Sequence, residues 1–281
     1  VTQSIETVSL NRCFGGRQGV YRHDSQATGT PMTFAVYVPP QAEAGPVPCL
    51  WYLSGLTCTH ENAMTKAGLQ QHAAEAGLAV VFPDTSPRGA DAADDEAFDM
   101  GQGAGFYLDA THEPWFPHFR METYVTQELR GLVEGMVPIS RHGVTGHSMG
   151  GHGALTLAMR HPDLFDSLSA FSPIANPTES DWGRKQLSGY LGRARDRWAD
   201  HDACLLMAER GWKADILVDQ GTDDQFYDLL RPHALADAMA RTRTPGAVRF
   251  HAGYDHSYFY VASFARDHVL WHAERLGASV G

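Results

Sequence analysis

Cysteine is scarce in this chain. Cys13, Cys49, Cys58 and Cys204 fall without a Cys-x-x-Cys pair or any zinc spacing, which weighs against a disulfide framework or a thiolate metal site and for reduced thiols. No apolar run approaches the roughly 18 residues of a membrane-spanning helix. Val1-Thr2-Gln3-Ser4 has neither the basic start nor the apolar stretch of a signal peptide, so a cytoplasmic location is expected. No basic block offsets the charge balance of 22 Lys and Arg against 33 Asp and Glu, net -11. Nucleic acid and anionic membranes are therefore not expected partners. The 15 histidines include no His-Glu-x-x-His. His147 and His152 stand at the wrong helical spacing for joint ligation, so no metal is expected and most histidines read as surface or hydrogen-bonding residues. There is no internal repeat and no linker, which predicts one domain over residues 1–281.

What is present fits a folded enzyme. With 43% hydrophobic residues the chain can bury one large core. Short apolar runs bounded by turn residues predict strands at 34–38, 49–53, 79–82, the run into Gly146, 168–171, 216–219 and 248–251. Helical patterns lie near 66–76, 121–136, 150–160, 226–243 and 258–276. This alternation predicts an α/β fold, a mostly parallel central sheet with helices on both faces. Two long polar segments, 84–117 and 172–198, show no persuasive period. The second falls between the strands at Leu168 and Ile216, where it is expected to form a small cap segment.

Gly146-His147-Ser148-Met149-Gly150 reads as a nucleophile elbow between a strand and a helix that His161-Pro162 stops. The turn forces Ser148 into crowded backbone angles, which glycines two positions to either side relieve. A serine hydroxyl needs a base and an acid, and in elbow hydrolases these follow in the order acid, then histidine. Asp224 lies just beyond the strand ending at Asp219. It is favoured over its neighbour Asp223 because its setting lets it aim beneath the histidine, while a helix N-cap before Phe226 is the structural alternative for either. His256 sits on a loop after the last strand. His251, His233, His268 and His272 lie within strand or helix and read as solvated or packing residues. The oxyanion hole calls for backbone N–H donors. Met149 follows the nucleophile, and Leu56, beside Gly55 in the loop after a strand, is the second candidate.

The runs Ser54-Gly55-Leu56-Thr57-Cys58-Thr59, Pro83-Asp84-Thr85-Ser86-Pro87-Arg88-Gly89, Gly103-Ala104-Gly105-Phe106-Tyr107, Gly146 through Leu155, Asp219-Gln220-Gly221 and Gly253-Tyr254-Asp255-His256-Ser257-Tyr258 resemble the S-formylglutathione hydrolase, or esterase D, family. The similarity extends from about Asn11 to the C-terminal helix. It implies an α/β-hydrolase fold, a triad of Ser148, Asp224 and His256, no cofactor, a homodimer, and hydrolysis of S-formylglutathione to formate and glutathione in formaldehyde detoxification. It also implies a cysteine, Cys58, beside the active site, where a nucleophilic role is not expected because Ser148 holds the elbow. Where the family commonly has Asp-Glu-Asn-Phe, this chain has His60-Glu61-Asn62-Ala63, so an altered pocket rim is expected. Arg88 and Lys66 are weak candidates for holding the charges of glutathione. A broad carboxylesterase or acyltransferase with the same triad is the alternative reading. A silent binding protein on the same scaffold is a third, against which the complete triad argues.

Overall fold

The computed structural model describes residues 4–278; Val1–Gln3, on which the reading of a missing signal peptide largely rests, lie outside the described residues. Nine strands form one sheet: β1 (Ile5–Cys13), β2 (Gly16–Asp24), β3 (Pro31–Val38), β4 (Val47–Leu53), β5 (Ala79–Pro83), β6 (Ile139–Gly146), β7 (Ser167–Phe171), β8 (Ile216–Gly221) and β9 (Gly246–His251). Their spatial order is β1-β2-β3-β5-β4-β6-β7-β8-β9. The five pairings from β5 through β9 are parallel, and the three on the β1 side are antiparallel. The crossover among β3, β5, β4 and β6, with helices on both faces, is the α/β-hydrolase arrangement. All seven predicted strands are present.

β1 and β2 are additional to that prediction. β1 buries none of its nine residues, so no apolar run marks it. Its turn into β2 runs through Phe14 and Gly15, both at positive φ, as a tight hairpin requires. The predicted helix near 66–76 is two helices, His60–Lys66 and Leu69–Ala76, separated at Gly68 (φ 70°). The predicted helix near 226–243 breaks at Arg231 (φ 56°) into Tyr227–Leu230 and Pro232–Thr242.

The segment 172–198 carries the helix Asp181–Leu191, whose first turn is capped by Ser180 Oγ accepting from the Gly183 N–H. Its buried face includes Gly183 and Gln186 beside Leu187, Tyr190 and Leu191, so an apolar period is too sparse to betray it. This helix is the small cap. The segment 84–117 contains no helix or strand, yet it buries Phe106, Tyr107 and Leu108 and is tied down by Tyr190, whose hydroxyl donates to the Ala104 carbonyl (2.6 Å).

Beneath the C-terminal helix Tyr258–Leu276 runs a buried polar chain. Asp219 accepts only, so His268 Nε2–H donates to its Oδ2 (3.2 Å), and His268 Nδ1 lies 2.8 Å from Ser169 Oγ, whose own proton goes to Thr145 Oγ1 (2.8 Å). Ser169 Oγ then takes His272 Nε2–H (2.8 Å), and His272 Nδ1 takes Ser167 O–H (2.6 Å). His268 and His272 are thus neither solvated nor merely apolar packing; they are neutral links, and burial pushes both well or clearly below the ordinary imidazole range.

A stability prediction follows from these rings. Burial lowers His152 to about 4 and His201 to about 3, the Arg160 charge adding to the effect at His201. The folded state keeps both neutral, whereas the unfolded chain binds protons as pH falls below about 6.5. Lowering the pH to 5 should therefore cost about 2 kcal/mol for each of these two rings, and His147, His268 and His272 act in the same direction. Asp219 works in a lower window. Burial raises it, but its bonds to His268 and Arg249 outweigh that and hold it depressed, so its contribution is lost only below the ordinary carboxylate range. Urea unfolding at pH 7.5 and 5.0 tests this; equal stabilities would contradict it.

Candidate active site

β6 ends at Gly146, and the helix Met149–Arg160 begins one residue after Ser148, which is held at φ 59°, ψ -118°. Ser148 N–H donates to the Phe171 carbonyl (2.9 Å) and His147 N–H to the Leu53 carbonyl (3.0 Å), pinning the turn to both neighbouring strands. The glycines are required by contact. A Cβ at Gly146 would collide with the Gly150 carbonyl, and one at Gly150 with the Leu53 carbonyl. A Cβ at Gly153 would meet the Tyr107 ring.

β8 delivers Asp224 and the loop after β9 delivers His256. His256 Nδ1–H donates to Asp224 Oδ2 at 2.6 Å, leaving Nε2 as the acceptor of the ring. Asp224 Oδ1 meanwhile accepts the Phe226 N–H (2.8 Å), a local turn bond and not a helix cap, since the helix Tyr227–Leu230 begins after Phe226 without a side-chain cap. Burial raises the Asp224 carboxyl, but the bond and charge of His256, with the Phe226 and Gln220 donors, outweigh it and hold the group below the usual range. Asp223 is exposed and receives the Thr222 hydroxyl (3.0 Å). The His256 ring lies between His147, tilted at 4.4 Å between centroids, and Phe226, edge-on at 5.0 Å. Burial and the nearby His256 push His147 well below the ordinary imidazole range, so it stacks as a neutral ring.

Ser148 and His256 open into one cleft of about 350 Å³, whose walls include Leu56, Cys58, Phe98, Trp182, Phe226 and Tyr258. Gly55 is pressed against the serine: its Cβ would stand 3.2 Å from Ser148 Cβ. Among the described residues no chain acceptor takes the backbone N–H of Leu56 or Met149, whereas Thr57 N–H donates to Gly103 and Cys58 N–H to Gly55. Two unclaimed donors therefore flank the serine.

The sequence matches the Esterase family, described as "Putative esterase", over residues 25–273. It is 64% identical over 279 residues to an S-formylglutathione hydrolase of Paracoccus denitrificans, covering 99% of this chain and all of that one. It is 47% identical over 281 residues to one of Mus musculus, covering 98% of this chain and all of that one. The solved structure of an S-formylglutathione hydrolase from Agrobacterium tumefaciens superposes with a TM-score of 0.95 at 48% identity, over 97% of this chain and all of that chain. The chain belongs to the S-formylglutathione hydrolase family. It is accordingly a serine hydrolase of the esterase type.

Within this S-formylglutathione hydrolase scaffold, several residues depart from the roles the sequence suggested. Arg88 is no free cation for a ligand: its Nε donates to both oxygens of Asp84 (3.1 and 3.0 Å) and its Nη2 to the Cys58 carbonyl (2.9 Å), clamping the Leu56–Cys58 loop. Lys66 is exposed at a helix end, and among the described residues no Lys or Arg lines the cleft. The altered rim expected from His60 and Ala63 is not found. Neither lines the cleft, and Ala63 is buried in the apolar cluster that also includes Ala35, Tyr37 and Val261, on a helix that packs on β3 and β5. Cys58 does line the cleft, but burial raises its thiol above the ordinary value, which disfavours the thiolate.

The sequence does not mark Phe98 or Trp182, and it shows His147, Phe226 and Tyr258 only as neighbours of site residues with no role of their own. His147 was legible as the neighbour of the nucleophile. The aromatic rings come from separate loops and the cap, and only the fold collects them.

Proposed function

We propose that this chain hydrolyses S-formylglutathione to formate and glutathione, with Ser148, Asp224 and His256 as its catalytic triad. The observation that carries the reading is the short His256–Asp224 bond beside a strained Ser148 in one cleft, within a chain 64% identical to a relative of that name. His256 Nε2 takes the Ser148 proton as Oγ attacks the formyl carbon, and the N–H groups of Leu56 and Met149 receive the oxyanion. The C–S bond breaks and the thiolate leaves, gaining the imidazolium proton. Water then attacks the formyl ester under the same base, formate departs and Ser148 recovers its proton. A thiolate leaves more readily than an alkoxide, so proton donation matters less here than for oxygen esters.

Because no Lys or Arg among the described residues lines the cleft, we assign it the acyl group and the cysteinyl methylene and leave the charged ends of glutathione outside. The substrate places the reaction in formaldehyde detoxification. We read the whole chain as one catalytic unit, supported by a single sheet running from Ile5 to His251. Four free thiols support a reducing, cytoplasmic setting, and exposed Val8, Leu10 and Phe14 along the edge hairpin support a homodimer.

The test compares S-formyl-, S-acetyl- and S-butyrylglutathione with a short aryl ester. Each enzymatic rate is divided by the hydroxide-catalysed rate of the same compound, which removes intrinsic electrophilicity. Corrected specificity should fall from formyl to butyryl. The aromatic walls from Trp182 and Phe226, stacked parallel at 6.2 Å, and the absence of a lining cation among the described residues favour a second reading as a broad short-chain esterase. Equal or greater corrected specificity for butyryl would select it.

A further inference from the structure

We propose that Gln220 is a positioning residue of this site: its side-chain amide holds the Asp224 carboxylate in place for His256. The inference rests on the triad reading above and adds a fourth member to it. Gln220, fully buried on β8, donates its Nε2–H to Asp224 Oδ2 at 3.1 Å, the same oxygen that accepts His256 Nδ1–H at 2.6 Å. Its second amide proton goes to the Gly221 carbonyl (3.1 Å).

The amide can face only one way. Turned over, its oxygen would point at the carboxylate and at a carbonyl, with no donor between them. In the orientation that satisfies Asp224, Gln220 Oε1 is left buried without a partner among the described residues. An orphaned buried carbonyl opposes folding, and a well-packed apolar side chain would avoid it, so the amide is retained for what its nitrogen does.

A donor on the shared oxygen drains charge from the carboxylate and weakens its pull on the imidazole proton. Removing it makes Asp224 a stronger partner for the imidazolium, and His256 stays protonated to higher pH. The other charged or titratable groups around the pair are differently engaged. His147 stacks on His256, and Asp255 accepts the Ser257 N–H and O–H. Asp223 takes Thr222, Asp219 is bound by Arg249 and His268, and Tyr258 and Cys58 face the cleft. Tyr260, also close to Asp224, donates no hydrogen bond to it. Besides His256, the donors to Asp224 among the described residues are Gln220 and the Phe226 N–H, and of these Gln220 shares Oδ2.

The experiment is the pH profile of kcat/KM for Gln220→Met, which keeps volume and flexibility while deleting the donor. The acid limb should move to higher pH by roughly half to one unit, with kcat reduced and KM little changed. In the proton NMR spectrum the His256 Nδ1–H resonance should move downfield. Gln220→Asn, which withdraws the amide by one methylene, should shift the limb the same way and serves if the methionine variant does not fold. In the unsubstituted protein, the Gln220 side-chain amide resonances should titrate with the midpoint of the acid limb. An unmoved limb in a folded variant, or an amide that does not titrate, overturns the inference. Ser148→Ala and Asp224→Asn run alongside: retained activity in those variants would bring down the triad reading itself, whereas their loss with an unmoved Gln220 limb refutes only the role of Gln220.

Discussion

Ser148→Ala abolishes turnover, by about 10³-fold or more, while the protein remains folded. The covalent step loses its nucleophile, and the Cys58 thiol, which burial keeps protonated, does not stand at the elbow. Alanine keeps a Cβ at φ 59°, so it inherits the backbone strain of the serine. Ser148→Gly removes both the nucleophile and the strain. The glycine variant should therefore be equally inactive yet more stable by about 1 kcal/mol. Steady-state assay and urea unfolding of the two variants separate chemistry from strain. Near-wild-type activity in purified Ser148→Ala, with contamination excluded, would remove Ser148 from the mechanism.

The second large effect belongs to the acid. Asp224→Asn should reduce kcat by about 10⁴-fold, whereas Asp223→Asn should change it little. An asparagine presents an N–H2 to His256 Nδ1, which must then accept, so the ring proton moves to Nε2 and the base disappears. The 2.6 Å bond from His256 Nδ1 to Asp224, and the exposure of Asp223, make the two adjacent carboxylates unequal. A crippled Asp223→Asn beside an active Asp224→Asn would reverse the assignment.

Much of this architecture is legible because its parts are local. The parallel strands are apolar runs, and the elbow is five consecutive residues whose glycines answer to specific collisions with Gly150 and Leu53. Asp224 and His256 follow from chain order and from sitting just past strands. What escapes the sequence is non-local. β1 is solvated along its length, the cap helix buries Gln186 and Gly183 in place of apolar residues, and the cleft walls meet only when separate loops converge. Arg88 reads as a free cation until Asp84 and the Cys58 carbonyl are seen to occupy it. Ala63 reads as pocket space until it is seen buried in an apolar cluster, on a helix that packs on β3 and β5.

The crowding beneath the elbow divides the molecule by how freely it can change. Gly146, Gly150, Gly151 and Gly153 each face a neighbour that a single methyl group would strike, so the floor of the site offers evolution no small steps. The walls are built otherwise: Phe98 is largely exposed, Trp182 rides on a cap helix at the surface, and Phe226 stands on a short turn. Divergence toward new acyl or leaving groups, in nature or under laboratory selection, should accumulate at those three rings while the glycine row stays fixed. A library confined to positions 98, 182 and 226 samples new substrates without touching the floor on which the serine stands.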